Sequence, residues 1–301
     1  MKRWLLVGLA AAAVVLAGLA LWWAFSRPLG PEQTAQAFLE ALEQGDGERA
    51  LELAETPPGS ELDRAGALAG ADELIADPRV ESVEQIDGGA KAVVSFELDG
   101  EERTADFSLV ETGDGWRVAG DAFGTLAATS TIGDLVTAGG VPLATGVEVA
   151  LLPALYPLAA APAGILDGSA SALVLPGTAS EVTVEASISP QATALAQEQL
   201  DAYAEECAQQ TDRVPAHCGM KVPWGADLAA LSSIAFRIDT LPQVSLSPDL
   251  TSFVATGGVI VATATGTTRE GAESSFTYRA DDWALRGSVE LSAEGMELRV
   301  D

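Results

Sequence analysis

Cys207, Cys218 and His217 are the chain's only cysteines and histidine, and so the residues best suited to redox, metal or nucleophilic chemistry. Their spacing decides among those uses. A thioredoxin-like dithiol needs two residues between its cysteines, and these lie 11 positions apart. A zinc site built from Cys207, His217 and Cys218 lacks a fourth soft ligand, and adjacent residues share a tetrahedron poorly. His217 could act as a general base only beside an activated serine, and the chain has no G-x-S-x-G elbow. The reading that fits is a structural disulfide, Cys207–Cys218. It would tie the end of a helix to a proline-rich loop and add about 2–3 kcal/mol of stability.

The acidic pairs Glu101-Glu102, Glu205-Glu206 and Asp281-Asp282 do not read as glycosidase dyads, because sequence neighbours point apart. Asp281-Asp282 reads as a turn before Trp283. Trp116 and Trp283 read as core strand residues. Trp224, set among Gly and Pro, reads as the exposed aromatic and the candidate contact residue. EF-hand, P-loop and dinucleotide motifs are absent from the sequence. The expectation is a chain without catalytic residues, metal ligands or cofactor.

The formal net charge is −28. Beyond position 30 there are 13 basic residues against 44 acidic ones, a net of −31. Such a field repels nucleic acid and anionic headgroups, so nucleic acid is excluded as a partner. With 48% hydrophobic residues interspersed among the charges, the chain reads as folded rather than as an acidic tail.

The run Trp4–Phe25 carries no charge. As a helix it would rise about 33 Å, enough to cross a hydrocarbon core of about 30 Å. Trp4 at one end and Trp22-Trp23 at the other suit the headgroup boundary, and Lys2 and Arg3 predict a cytoplasmic N-terminus. The run is longer than a cleaved signal core, so an uncleaved single-pass anchor with an extracytoplasmic body is expected. Such a compartment also permits the disulfide.

Behind the anchor (residues 1–26), the pattern divides the chain into three parts. Residues 27–126 begin with Pro31 opening a helix whose Ala35, Phe38, Leu39 and Leu42 share one face. A second helix carries Ala50, Leu51 and Ala54, and a third is expected around Leu62–Ala76, stopped by Asp77-Pro78. Alternating strands follow through Val94, Phe96 and Leu98, then Ala105, Phe107 and Leu109, with a turn at Asp99-Gly100. Residues 127–188 are poor in charge and read as a small all-β module. Residues 189–301 open on Ser189-Pro190 as helix cap and first turn, then run into strands. The fold class expected is α+β.

The run P-E-x-x-A-x-x-F-x-x-A-L-x-x-G-D-x-x-x-A-x-x-L (Pro31 to Leu53), with G-D-G-W-R-V (Gly113 to Val118), resembles bacterial extracytoplasmic domains of the nuclear transport factor 2-like, or lumazine-binding-like, superfamily. The resemblance implies a cone of helices over a curved antiparallel sheet, often used as a non-catalytic binding or spacing module. Acid–base residues that enzymes of the superfamily place in the cone have no match here. Asp114–Gly120 also aligns without a gap to Asp281–Gly287, which raises a second cone in residues 189–301. The function expected is a non-catalytic envelope protein that binds or organises another envelope protein or a cell-wall component. The alternative is a small-ligand carrier or sensor using a cone-shaped pocket.

Overall fold

A computed structural model describes residues 29–55 and 61–301. The expected anchor, with Trp4, Trp22 and Trp23, lies outside the described residues; among those described, no helix is long and apolar enough to cross a membrane. The described residues form two compact units. One comprises residues 29–126 with Val149–Tyr156 and Leu173–Ser180; the other comprises Ala127–Glu148, Pro157–Ala172 and Glu181–Asp301.

The fold class is corrected. Among the described residues, strands hold 52% and helices 18%, so this part of the chain is mostly β rather than the helix-rich α+β fold that the pattern suggested. The α-helices among the described residues are α1 (Pro31–Glu43), α2 (Gly47–Glu52), α3 (Arg64–Ala69) and α4 (Pro190–Cys207). Two of them are only six residues long, each opened by an aspartate cap: Asp46 accepts from the Arg49 N–H and Asp63 from the Gly66 N–H. The third helix stops at Ala69, and Asp77-Pro78 lies inside a strand rather than ending a helix. Proline is tolerated there because this is an edge strand with a register shift at that point.

In the first unit, β1 (Ala76–Ile86), β2 (Gly89–Leu98), β3 (Glu101–Thr112) and β4 (Gly115–Val118) form an antiparallel meander in sequence order. Asp99 and Gly100, both at positive φ, make the tight turn that joins Leu98 to Glu101. Period-two alternation puts Ala90, Ala92, Val94, Phe96 and Leu98 on one face. Phe107 stands opposite Ala92 and meets Phe38 of α1 edge-to-face at 5.8 Å between centroids. Leu39, Leu42 and Leu109 fill the rest of that interface. Tyr156, in the same unit, is buried and donates its hydroxyl to the Leu152 carbonyl at 2.8 Å; burial pushes its pKa well up.

Residues 127–188 contain strands and no α-helix. They run through β5 (Gly124–Ser130), β6 (Leu135–Ala138), β7 (Val141–Ala144), β8 (Glu148–Leu151), β9 (Ala154–Ala160), β10 (Leu166–Asp167), β11 (Ser169–Val174), β12 (Ala179–Val184) and β13 (Ser187–Ile188). Their sheet orders are β11-β9-β6-β7, β12-β5-β8 and β10-β13.

The second unit ends in a large antiparallel sheet of β14 (Ala230–Thr240), β15 (Gln243–Leu246), β16 (Ser252–Thr267), β17 (Glu273–Ser292) and β18 (Gly295–Val300). Its order is β14-β16-β17-β18, with β15 also on β16. Ser189 caps α4, accepting from the Ala192 N–H at 3.1 Å, and Pro190 opens it. The helix buries Ala192, Ala196, Leu200, Ala204 and Cys207. Two of its glutamines stand in for missing strand neighbours. Gln197 donates to Pro242 O (3.0 Å) and accepts from Val244 N (2.9 Å) on the edge of β15. Gln199 donates to Met296 O (2.8 Å) and accepts from Leu298 N (2.9 Å) on the edge of β18.

The aligned segments Asp114–Gly120 and Asp281–Gly287 both place their tryptophan in a strand, but they enter it differently. Trp116 follows a turn on the four-residue β4, whereas Asp281-Asp282 is not a turn: it lies inside β17, where the register shifts between Ala280 and Trp283. A bulge absorbs the extra residue and the strand continues.

Candidate functional site

The site grows from the end of α4. Cys207, in its last turn, is bonded to Cys218, with Cα atoms 5.7 Å apart, so the intervening loop is clasped to the helix. One turn earlier, Tyr203 donates its hydroxyl to the His217 carbonyl at 2.9 Å. Desolvation, and then the nearby Glu206 charge, raises the Tyr203 pKa. On the sheet side, the buried Trp283 donates its indole N–H to the Cys218 carbonyl at 2.8 Å. His217 and Gly219 both adopt positive φ, which turns the loop sharply beside the disulfide. A Cβ on Gly219 would run into the Ala284 carbonyl oxygen, so glycine lets the loop lie directly against β17.

The remainder of the loop is held from below. Leu228, Ile234, Ala262 and Ala264 form a buried cluster on one face of β14 and β16, and Val214, Val222, Trp224 and Tyr278 pack on it. Arg269 donates to the carbonyls of Gly225 and Ala226 in the short 3-10 turn Trp224–Ala226. Tyr278 donates to the Asp227 carboxylate at 2.7 Å. Desolvation, reinforced by that bond and the Asp227 charge, pushes the Tyr278 pKa up to about 12.

Between this loop and the sheet lies a cleft of about 840 Å³. One wall is the segment from Pro215 to Pro223; the floor includes Phe236, Ile260 and Ala262; the other wall is β17 from Tyr278 to Arg286. The lining mixes apolar side chains with both signs of charge: His217, Lys221, Arg279 and Arg286 against Asp282 and Asp301. Arg279 is already engaged, bridging Asp239 and Asp281. The Arg279 guanidinium, followed by Arg237, holds the Asp239 carboxyl below the usual carboxylate range, and the Asp239 and Asp281 bonds raise the Arg279 pKa in turn.

The disulfide read from the sequence is present, and it walls the cleft. Trp283 is in the core, as its strand position implied, while Trp116 is half-buried beside a pocket of about 170 Å³ near Thr34, Glu52 and Arg117. Trp224 is half-buried on the apolar cluster and does not line the cleft, so it is not the free-standing aromatic its Gly and Pro neighbours suggested. Glu101, Glu102, Glu205, Glu206, Asp281 and Asp282 are all exposed. No group of three or more His, Cys, Asp or Glu residues able to hold a metal is found among the described residues.

Sequence reasoning missed Lys221, Tyr278, Gly219 and Arg286. A signal existed for one of them: with only Lys2, Lys91 and Lys221 in the chain, a lysine in the disulfide loop stands out. Arg286 carried none, because it joins Lys221 only through the path of β17.

No family model, curated protein or solved structure matches this chain. The resemblance of Pro31–Leu53 and Gly113–Val118 to nuclear transport factor 2-like domains therefore rests on those motifs alone.

Proposed function

We propose that this chain is a non-catalytic binding protein of the cell envelope, held to the membrane by its uncharged segment Trp4–Phe25, with its acidic body outside. In this reading the C-terminal unit engages an envelope protein through the cleft beside the Cys207–Cys218 loop. The observation that carries it is the fixing of that cleft before any ligand arrives. Its loop wall is bonded to α4 by the disulfide and Tyr203, and to β17 by Trp283. A preformed wall lowers the ordering cost of binding. The clasp also suits an oxidising compartment, which agrees with an exported body.

A carrier holding its ligand inside the N-terminal unit has less support. The interface of α1 with the sheet is occupied by Phe38, Phe107, Leu39, Leu42 and Leu109, each nearly fully buried.

The test is site-specific photocrosslinking in intact cells. A crosslinker at Met220, which lines the cleft, should trap a discrete protein adduct, while one at the exposed Val254 should not. Equal labelling at both positions, or none at Met220, overturns the proposal. Protease added outside the cytoplasmic membrane should digest the body; protection there would refute the topology.

A further inference from the structure

The floor of the cleft is one face of three paired strands. Phe236 of β14, Ala262 of β16 and Tyr278 of β17 stand in a single cross-strand row, since Phe236 pairs with Ala262 and Ala262 with Tyr278. Two residues along, Ile260 pairs with Ala280 and makes the next row. Residues two apart on a strand share a face, so all five side chains look the same way. Further along that face, Ile234 and Ala264 are buried, with Val214, Val222 and Trp224 packed on their cluster. The cover is incomplete: Phe236, Tyr278 and Ala280 remain half-buried and line the cleft.

Small side chains put a hollow in this face. Ala262, on the central strand, is flanked by Phe236 on one side and Tyr278 on the other, and Ala280 stands beside Ile260. Paired strands lie about 4.8 Å apart, so a methyl group between two aromatic residues leaves a depression that they border. Tyr278 is held by its bond to Asp227, which fixes one border before anything binds. The cleft above, about 840 Å³, falls within the range of about 300–1,000 Å³ found for pockets that bury a compact group.

Charge gives an occupant its polarity. Lys221 on the loop wall and Asp282 on β17 are exposed and of opposite sign. Neither makes an ion pair or a side-chain hydrogen bond among the described residues, whereas Lys91 is paired with Asp106. The two charges therefore border one cavity without neutralising each other. Arg286 and Asp301 also line it, but the Asp301 N–H donates to the Arg286 carbonyl at 3.0 Å. That adjacency sets one charge against the other and leaves no direction.

From this geometry we infer that the cleft takes one bulky apolar side chain of a partner protein, flanked in the partner by a carboxylate and a cation. The apolar group seats in the hollow over Ala262 and Ala280, the carboxylate faces Lys221, and the cation faces Asp282. This deepens the binding function proposed above and rests on it. Burial of the anchor supplies most of the affinity, because a large side chain gives up its apolar surface to the cavity. The exposed ion pairs are screened by water and salt, so they fix orientation more than strength.

The experiment uses the full-length chain in detergent and a phage-displayed library of short random peptides. Enriched peptides should share one bulky apolar residue with an acidic residue on one side and a basic residue on the other, in a constant order. Replacing the shared residue by Ala in a synthetic peptide should lower affinity about tenfold or more. Ala280→Leu, which fills the hollow, should cost about as much, with an unfolding midpoint matching the parent's. Lys221→Glu should cost about fivefold, and exchanging the peptide's acidic residue for Lys should restore binding to that variant. No shared apolar residue, equal binding to the parent and Ala280→Leu, or no recovery on charge exchange would each overturn the inference. Should Ala280→Leu lower the midpoint, the charge exchange at the exposed Lys221 decides alone. A cellular Met220 crosslink that persists in both variants would sink the anchor inference while leaving the binding function in place. Peptide binding of the expected kind without any cellular adduct would do the reverse.

Discussion

The indole N–H of Trp283 donates to the carbonyl oxygen of Cys218 at 2.8 Å, joining the bulged part of β17 to the disulfide loop across 65 positions of sequence. Both ends are buried, so the bond cannot be exchanged for water. Trp283→Phe should cost about 1–3 kcal/mol, the penalty for leaving the Cys218 carbonyl unpaired, in urea unfolding. An unchanged midpoint would show that the loop relaxes freely and that its wall of the cleft is not fixed.

Removing the clasp tests the same wall from the helix side. Cys207→Ser with Cys218→Ser should lower stability by about 2–3 kcal/mol, in keeping with a loop of this length. Mass spectrometry of the parent under non-reducing, alkylating conditions should find no free thiol, since Cys207 and Cys218 are bonded to each other.

Gly219 is where the loop touches β17. Gly219→Ala should destabilise by about 1–3 kcal/mol, because the residue sits at φ +61 and the added methyl meets the Ala284 carbonyl. Gly225→Ala, in the neighbouring turn with open space around it, should change the unfolding midpoint little. Equal effects at the two positions would contradict the close approach.

The glutamines of α4 should act independently. Gln199→Ala strips partners from Met296 O and Leu298 N, and Gln197→Ala does the same at Pro242 O and Val244 N. Each should cost about 1–2 kcal/mol for partly buried backbone groups, and the double variant should be near the sum, since the two serve different strands.

Stability should fall at both ends of the pH scale. Tyr278 has a folded pKa raised to about 12, so its contribution is complete below the unfolded value near 10 and is lost as pH climbs through 12. Absorbance titration should show Tyr278→Phe removing a phenolate step near pH 12. Asp239 is lowered by Arg279, and Asp249 by the Ser247 and Thr251 hydroxyls. Their contributions are present above the unfolded carboxylate value near 4 and decline as pH drops below it. A stability profile flat from pH 2 to 5 would refute the acid limb.

Parts of the fold were legible because local physics sets them. Pro31, the Ser189-Pro190 cap, the Asp99-Gly100 turn and the alternation through Phe96 and Phe107 are short-range signals, and each appears where the sequence put it. The balance of strand to helix was not legible. Asp77-Pro78 and Asp281-Asp282 carry breaker chemistry, but register shifts absorbed both, so β1 and β17 run through them. The same limit hid the cleft: Lys221 and Arg286 line one cavity only because β17 continues past a bulge.

The amide pairs of Gln197 and Gln199 have a consequence for association between molecules. A sheet margin with idle peptide groups is a template for stacking further copies. On β15 and β18 part of that template is already occupied by side chains anchored on a rigid helix, which an incoming chain would have to displace. These margins are thereby guarded against fibre-like growth by amides presented from a neighbouring helix.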